Sequence, residues 1–460
     1  MTKSMISPTR VIAALVLLFA IGIAFFPPVE PGPAAKALAL TVFTIGFWAT
    51  GILPEYLTAL VFFTLAMLFS VSPAGTIFSG FQSSVFWLVF GGLILGVAIK
   101  RTGLGERIAN HLSARFGRTY VRIITGMVTI GLALSFIMPS AVGRIVLLLP
   151  IANAMAGRFG FEPGSQGRTG IVLAAGFGSF FPAFAILPAN VPNLVLTGAA
   201  ETLYHFTPAY GEYLLLHFPV LGILKSIIII ALILLLYPDR PQVPAAAEAA
   251  QGPMTADEKL LTWVLVMTIS FWVSDFMHHI SPAWIGLAAG IVCLLPVVGL
   301  VSRESFTREI NYGTLFFLAG IIGFGGMLSH SGLGNMLAQA LLAVLPLEPG
   351  KDLLNFASLS ITAMFIGIVA NLPSVPAVLT PLAGEMAKAA GMSVESVLMT
   401  QVVGFSLVLL PYQAPPMVLT VQLGGVKTSA VIKFCALLIV LTLIILLPLD
   451  FLWWRLIGWI

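Results

Sequence analysis

Charge is the scarcest property of this sequence. Asp, Glu, Lys and Arg make up 9% of its 460 residues, whereas a soluble domain carries about 25%. Apolar residues make up 59%, and no stretch is polar enough or long enough to form a soluble domain. Apolar runs near the ~20 residues that a membrane-spanning helix needs recur along the whole chain. The composition therefore predicts an all-α integral membrane protein of about eleven transmembrane helices and excludes an appended catalytic domain.

The motifs of several other classes of protein are also missing. The sequence has no phosphate-binding loop, which disfavours a nucleotide-driven pump. No carboxylate pair or His–Glu metal motif lies within the apolar runs, which disfavours a membrane-embedded enzyme. Cys293 and Cys435 lie singly in separate apolar runs, so we interpret both as packing residues. We expect no enzyme activity, no cofactor and no nucleic-acid partner, and we attribute the net charge of +4 to loop residues that anchor the chain.

The first apolar run, Val11 to Phe26, follows Lys3 and Arg10. This pattern is typical of a signal peptide. The alternative is a retained first span within residues 1–36, which we favour because no clean small-residue cleavage site precedes polar sequence.

Residues 136–150 interrupt a long apolar region with Pro139, Ser140, Gly143, Arg144 and Pro150. Helix-breaking residues free backbone groups that hydrocarbon cannot satisfy, so this segment is not an ordinary span. An ionisable residue inside a membrane indicates a functional site. We expect the segment to form the tip of a re-entrant hairpin at 123–157, which is short for two crossings.

The second half of the sequence repeats the first at a nearly constant offset. The matching pairs are Thr102-Gly103-Leu104-Gly105 with Ser331-Gly332-Leu333-Gly334, Phe47-Trp48 with Phe271-Trp272, and Leu187-Pro188 with Leu410-Pro411. The repeats predict two units, 37–237 and 260–460, joined by a cytoplasmic linker at 238–259. Each unit holds a re-entrant hairpin, at 123–157 or 352–387, and a proline-broken helix, at 169–200 or 396–424.

Basic residues predict the orientation. An amphipathic stretch expected to lie in the membrane interface carries Lys100, Arg101, Arg107, Arg115, Arg118 and Arg122, whereas its counterpart at 331–350 has no Lys or Arg. The two repeats should therefore be inverted, with hairpins that enter from opposite faces of an inner membrane. The N-terminus would be cytoplasmic and the C-terminus external.

Inverted repeats with broken helices at matching positions are typical of secondary transporters whose site lies at the membrane midplane. The two hairpin tips and the two broken helices should converge there. Their half-helix N-termini favour an anionic substrate. The sequence leaves the coupling ion open between Na⁺ and H⁺.

The chain resembles the divalent anion/sodium symporter family of the ion transporter superfamily. The resemblance covers nearly the whole chain after residue 37 and depends on the order of elements, the run Gly143 to Pro150, and the segment Leu410-Pro411-Tyr412-Gln413-Ala414-Pro415-Pro416. It implies a homodimer in which a transport domain moves against a scaffold as an elevator, with di- or tricarboxylates or sulfate as substrates. The family's hairpin tips carry Ser-Asn-Thr, which hold sodium and substrate. This chain has Ser140-Ala141-Val142 and Asn371-Leu372-Pro373 instead, so a sodium site would lie near Ser140 and Asn371.

The candidate substrate-binding residues lie at these breaks: Ser140, Ala141, Gly143, Arg144, Asn190, Asn193, Asn371, Ser374, Gln413 and Pro415. Arg144 could hold an anion directly, or act as a fixed cation where the family places sodium. Its structural alternative is an arginine that bonds hairpin carbonyls or extends to the surface. Ser140, Asn371 and Ser374 could instead be helix caps, whereas Asn190 and Gln413 occupy equivalent places in the repeats.

Two further sets of polar residues have structural alternatives. Glu55 and Glu385 could carry a coupling proton, but solvated positions at span ends suit both. Asp275, His278 and His279 could bind a metal, although their adjacent spacing fits an external loop better.

We therefore expect a secondary active transporter of a small anion, of the carboxylate, sulfate or sulfonate type. The alternative within the same superfamily is an inorganic ion exchanger, such as a cation/proton antiporter or an oxyanion extruder.

Overall fold

The computed structural model describes residues 8–29, 32–108, 119–241 and 252–460. Within these ranges the chain forms helices and no strand. Nine helical stretches in these ranges are long and apolar enough to cross a membrane, and shorter apolar helices accompany them. The predicted all-α membrane architecture is confirmed, whereas the number of eleven spans stays a prediction.

The helices of the first half are α1 (Pro8–Phe25), α2 (Pro33–Thr50), α3 (Glu55–Leu68), α4 (Ala74–Ile77), α5 (Ser84–Thr102), α6 (Tyr120–Ile137), α7 (Ala141–Arg158), α8 (Gln166–Phe180), α9 (Val191–Tyr204), α10 (Tyr210–His217) and α11 (Lys225–Leu236). Short 3₁₀ turns lie at Ser79–Phe81, Pro182–Ala185 and Leu187–Ala189, and a π-helical turn at Phe218–Leu224 joins α10 to α11.

The helices of the second half are α12 (Ala256–Val273), α13 (Asp275–His278), α14 (Pro282–Leu294), α15 (Arg303–Arg308), α16 (Tyr312–His330), α17 (Leu333–Leu342), α18 (Asp352–Val369), α19 (Ser374–Leu379), α20 (Ala383–Ala390), α21 (Val394–Phe405), α22 (Pro415–Gly424), α23 (Thr428–Leu441) and α24 (Leu447–Leu456). Short 3₁₀ turns lie at Thr380–Leu382 and Pro411–Gln413, and a second π-helical turn at Thr442–Leu446 joins α23 to α24.

Hydroxyl side chains begin many of these helices by accepting a bond from an otherwise free N–H group. Ser83 caps α5 and Ser165 caps α8 in this way. Thr255 and Glu258 form a reciprocal capping box at the start of α12. These polar residues stand where apolar helices begin, so the local sequence determines the helix starts.

The two halves contain matching interruptions. The first broken helix stops at Phe180 and resumes at Val191 after the turn Leu187–Ala189, and the second stops at Phe405 and resumes at Pro415 after the turn Pro411–Gln413. Trp48 Nε1 donates to the backbone oxygen of Glu55 at 3.1 Å, and Trp272 Nε1 donates to that of Pro282 at 3.0 Å. The internal repeat therefore has structural counterparts, while the inversion of the two halves in a membrane stays a prediction.

Two groups of helices are distinguished below, and they contact each other through α9 and α16 among others. The scaffold group is defined as α2, α3, α5, α12, α14 and α16. In this group α5 packs on α14, and α3 packs on α16. The hairpin group, defined as α6–α11 and α18–α24, packs α6 and α7 on α8, and α18 on α21. Small residues permit these contacts: a Cβ added at Gly91 of α5 would lie 2.5 Å from the backbone oxygen of Gly286 on α14.

Several sequence predictions concern the flanks of these groups. The N-terminal α1 packs against α2, where Val16 contacts Gly46, and its retention as a first span stays a prediction. Cys293 and Cys435 are both buried. The interfacial stretch with Arg115 and Arg118, the linker part 242–251 and Lys3 lie outside the described residues.

Candidate functional site

A cavity of about 370 Å³ lies where both hairpin tips meet both broken helices. The tips contribute residues 139–142 and 372–373, and the broken helices contribute 180, 188, 190–192, 194 and 413–416. The rest of the wall comes from the scaffold group and Asn311 just before α16. Apolar residues of α5 and Phe317 line it, and its polar side chains are Glu55, Trp272, Asn311 and Thr314. The cavity therefore lies between the two helix groups.

The structure divides the sequence-predicted site residues into two sets. On the cavity wall are Ser140, Ala141, Asn190, Gln413 and Pro415. Behind the wall, at the same tips and breaks, are Gly143, Arg144, Asn193, Asn371 and Ser374. The residues of the second set form hydrogen bonds that involve the backbone at the tips and breaks.

Arg144 is wholly buried behind the first hairpin tip. Its Nε and Nη2 donate to the oxygen of Ser179 at 3.2 and 3.0 Å, and Nη1 and Nη2 each donate to the oxygen of Ala189 at 3.2 Å. Nη1 also donates to the oxygen of Met138. Because the last carbonyls of a helix have no partner within it, the planar guanidinium joins the end of α8, the 3₁₀ turn and the hairpin tip in one network.

The first hairpin tip presents free donors to the cavity. Ser140 is exposed and caps α7 by accepting the N–H of Gly143 at 3.1 Å. The N–H groups of Ala141 and Val142 belong to the first turn of α7, which has no intrahelical acceptors for them. The positive end of this helix and the buried guanidinium both favour a negative ligand at this wall.

Two asparagines hold the first break. Asn193 donates its amide to the oxygens of Phe184 at 3.1 Å and Ile186 at 3.0 Å. Asn190 donates to the oxygen of Phe180 at 3.4 Å and lies on the cavity wall. The broken backbone, which hydrocarbon could not satisfy, thus bonds to side chains from its own resumed helix.

Gln413 fastens the second break. Its Oε1 accepts the N–H groups of Leu409 at 2.8 Å and Leu410 at 2.7 Å, and its Nε2 donates to the oxygen of Gly367 in the hairpin at 2.9 Å. The N–H of Leu372 at the tip donates to the backbone oxygen of Gln413 at 3.2 Å. A neutral amide therefore joins tip and break here, where a guanidinium does so in the first half.

The second tip has its own cap. Asn371 Oδ1 accepts two hydrogen bonds from Ser374, one from the backbone N–H at 3.1 Å and one from the side-chain hydroxyl at 2.6 Å. Asn371 Nδ2 donates to the oxygen of Trp48 at 3.4 Å, which links the tip to the scaffold group. The first turn of α22 offers fewer donors, because Pro415 and Pro416 lack an N–H.

Glu55 is the charged residue that sequence reasoning placed elsewhere. It begins α3 and is half-buried on the cavity wall. Among the lining residues, all within the described ranges, its side chain alone is ionisable.

The remaining candidates lie outside the cavity wall. Glu385 pairs with Lys388 at 2.7 Å in a largely exposed position. Asp275 is buried and accepts the N–H of Tyr210, His278 bonds to the backbone of Phe271 and Ile280, and His279 ends α13. The described residues hold no group of His, Cys, Asp and Glu side chains suited to a metal ion.

A sodium ion at the first tip would need the oxygens that Arg144 occupies. Alkali cations bind carbonyl and hydroxyl oxygens, and the carbonyls of Met138, Ser179 and Ala189 already accept guanidinium N–H groups. At the second tip, Asn371 Oδ1 already accepts two bonds. The residues present therefore do not fit a sodium ion at these oxygens in this conformation.

Known proteins resemble this chain over most of its length. The sodium:sulfate symporter transmembrane region matches residues 8–460. A membrane protein of Cupriavidus necator is 26% identical over 92% of this chain and 88% of that protein. The L-tartrate/succinate antiporter of Escherichia coli K12 is 28% identical over 57% of each chain, and the inner membrane protein YbhI of the same organism is 24% identical over 83% of each.

Solved transporter structures share the fold. The Alcanivorax borkumensis YdaH transporter has a TM-score of 0.55 and 17% identity, covering 93% of this chain and 99% of that chain. MtrF of Neisseria gonorrhoeae, an antimetabolite efflux pump, has a TM-score of 0.55 and 13% identity, covering 95% and 97%. The helical fold is therefore that of membrane transporters, and the chain belongs to the family of the sodium:sulfate symporter transmembrane region.

Proposed function

We propose that this protein is a secondary active transporter of a small anion of the carboxylate, sulfate or sulfonate type. The observation that carries the proposal is the single cavity at which two hairpin tips and two resumed helices meet. The first tip offers free N–H groups there with a guanidinium directly behind it. Such an arrangement binds negative groups.

Relatives narrow the choice of substrate. The family is described by sodium and sulfate, and the relatives that match 57% of the chain are L-tartrate/succinate antiporters. Dicarboxylates and sulfate are both compact dianions. We propose that a compact dianion occupies the cavity, with one anionic group against the N–H groups of Ala141 and Val142.

We further propose that Arg144 replaces a sodium ion. It neutralises the carbonyl ends at the first tip permanently, so no cation has to bind there before the substrate. Transport should then be independent of sodium. Coupling would come from a second anion carried in exchange, or from protons.

The proposed movement is an elevator in a homodimer. The cavity lies between the scaffold group and the hairpin group, so sliding of one group against the other would expose it to alternate sides. The N-terminus would face the cytoplasm and the C-terminus the outside of a bacterial inner membrane, in keeping with the bacterial inner membrane relative. The inorganic cation exchanger is less well supported, because the cavity wall supplies one carboxylate, Glu55, and no pair.

Transport by the purified protein in liposomes tests this function. We would measure uptake of radiolabelled succinate, L-tartrate, citrate, sulfate and a sulfonate, into vesicles either empty or preloaded with the same anion, with sodium or choline outside. Anions of one of these chemical classes should accumulate in the vesicles, and replacing sodium by choline should leave their rate of uptake unchanged. If every anion stays at the level of protein-free liposomes, the proposal is wrong, and sodium or potassium uptake against protons would favour the cation exchanger.

A further inference from the structure

A second buried polar cluster lies away from the cavity. Lys225, His217 and Asp450 are each wholly buried, and the cavity wall includes none of them. Ionisable residues within membrane-spanning segments are costly and mark ion or proton pathways. The cluster therefore needs a reason that the anion site does not supply.

The cluster surrounds the two π-helical turns. His217 directly precedes the first turn and Lys225 directly follows it, and Asp450 lies on the helix that follows the second turn. The two turns contact each other and occupy matching places in the two halves. Single π-helical turns inside α-helices occur frequently at functional sites.

Lys225 connects the cluster to both helix breaks. Its Nζ donates to the backbone oxygen of Ser406 at 2.8 Å and to the Ser406 hydroxyl at 3.0 Å. Ser406 ends α21, so it opens the break whose far end, Gln413, lies on the cavity wall. Lys225 Nζ also lies 5.4 Å from the ring centroid of Phe181, the first residue of the other break.

Asp450 and His217 have the polar atoms that lack partners. The two carboxylate oxygens of Asp450 and the two ring nitrogens of His217 are buried and have no partner in hydrogen-bond geometry. The indole N–H of Trp454 is the neighbouring donor that interacts with the Asp450 carboxylate. The carboxylate interacts electrostatically with Lys225, but the two groups form no ion pair within 4.0 Å. Burying an ionised carboxylate away from water is costly, which makes Asp450 a candidate proton-binding group.

We propose that Asp450, together with Lys225 and His217, forms an intramembrane proton-binding site whose occupancy decides whether Lys225 holds the second helix break. With a proton on Asp450, the carboxyl group is neutral and Lys225 stays on Ser406, as observed. When the proton leaves, the carboxylate attracts the ammonium group away from Ser406. The break that leads to Gln413 then loses its cation at the helix end.

The neighbouring helices contribute few other ionisable groups to this site. Those that face the cluster are Tyr213, whose ring lies 4.6 Å from that of His217, and Cys435, which interacts with Lys225. Two further tyrosines on the flanking helices are buried: the Tyr120 hydroxyl of α6 donates to the oxygen of Gly167 at 3.5 Å, and the Tyr210 ring of α10 packs on that of Trp272. The charged side chains on α6, α8, α10, α18, α21, α23 and α24 that flank the cluster are exposed or half-exposed: Arg122, Arg168, Glu212, Asp352, Glu395, Lys433 and Arg455. Tyr213 is engaged through its hydroxyl with the oxygen of Phe184 at 2.9 Å, and Asp450 is the carboxyl group buried within the cluster.

This inference rests on the proposed function, since it names the proton as the coupled ion. The transport test compares Asp450→Asn with the wild type and with Glu385→Gln, a control carboxylate on the surface. A pH gradient, acidic outside, should stimulate wild-type and control uptake at least about threefold and leave Asp450→Asn unaffected. Exchange of the same anion at equal pH on both sides should persist in Asp450→Asn, which shows that the variant folds and that the anion site works.

Each outcome separates the two proposals. If no protein moves any anion, the proposed function fails. If all proteins move anions and Asp450→Asn responds to the pH gradient like the wild type, the proton site is wrong.

A measurement that needs no transport tests the same site. Infrared difference spectra recorded while the pH is raised should show the carbonyl band of a buried carboxylic acid in the wild type and in Glu385→Gln. The band should be absent in Asp450→Asn. Lys225→Met should retain the band to higher pH, because an apolar side chain of similar length removes the cation that acts on the carboxylate among the described residues. A wild-type spectrum identical to that of Asp450→Asn at every pH would overturn the inference.

Discussion

The guanidinium of Arg144 donates two hydrogen bonds to the carbonyl oxygen of Ser179, at 3.0 and 3.2 Å. The donor lies at the start of α7 and the acceptor at the end of α8. The contact therefore joins the positive end of one half-helix to the negative end of another, and its charge compensates the carbonyl dipoles there. The hairpin tip and the first break form one unit because of this side chain.

Arg144→Gln should abolish anion transport while expression stays near the wild-type level. Glutamine has too few donors to reach the oxygens of Met138, Ser179 and Ala189, and each buried group left unpaired costs about 1–3 kcal/mol. Uptake or exchange in liposomes measures the loss.

The half-exposed Arg168 at the start of α8 provides the control, because Arg168→Gln should retain transport. Full transport activity in Arg144→Gln would show that the charge of Arg144 is not needed for transport. Stimulation of the wild type by sodium would contradict the replacement of sodium by Arg144.

Glu55→Gln should strengthen substrate binding. The carboxylate is the ionisable group on the cavity wall, and a like charge near an anion opposes binding. Removing it should lower KM at neutral pH about three- to tenfold, or about 0.7–1.4 kcal/mol. Uptake measured over a range of substrate concentrations gives KM, and Glu385→Gln, whose KM should equal that of the wild type, is the control. A wild-type KM in Glu55→Gln as well would show that Glu55 does not lie near the bound substrate.

Glu201→Ala should weaken the contact between the two helix groups. Its carboxylate accepts the Ser83 hydroxyl at 2.6 Å and the N–H of Ser84 at 2.9 Å, so a residue of α9 caps α5 of the scaffold group. Loss of a cap costs about 0.5–2 kcal/mol, and the thermal midpoint in detergent should fall. Glu201→Gln keeps one acceptor oxygen, so its thermal midpoint should fall less. Equal midpoints for the wild type and both variants would show that the contact does not stabilise the protein.

Gly91→Ala should destabilise the scaffold group. The added Cβ would lie 2.5 Å from the backbone oxygen of Gly286, so α5 and α14 would have to separate, at about 1–3 kcal/mol. Gly96 on the same helix has no neighbour within 4 Å of an added Cβ, and Gly96→Ala should be neutral or stabilising. The fraction of protein that remains monodisperse after heating is measured for Gly91→Ala and Gly96→Ala. Equal fractions would contradict the close packing at Gly91.

Local chemistry was enough to locate much of the site. Pro139, Pro188 and Pro415 interrupt apolar sequence, and the polar residues beside them, Ser140, Asn190 and Gln413, line the cavity. Proline in hydrocarbon leaves backbone groups unpaired, so such breaks are readable one segment at a time. Met138, which accepts a bond from Arg144, lies in the same hairpin, as the structural alternative expected. The acceptors Ser179 and Ala189 could not be predicted, because only packing brings their segments to the hairpin.

The sequence by itself determined that this protein lies in a membrane, that its two halves correspond, and where its helices break, because composition, hydropathy and proline act locally. Tertiary structure decided which groups face the cavity. It brought Glu55, Asn311 and Thr314 from the scaffold group onto the wall, and it placed Lys225 beside Ser406, far away along the chain. Such contacts depend on how helices pack against each other, and the pattern along a single helix does not specify them.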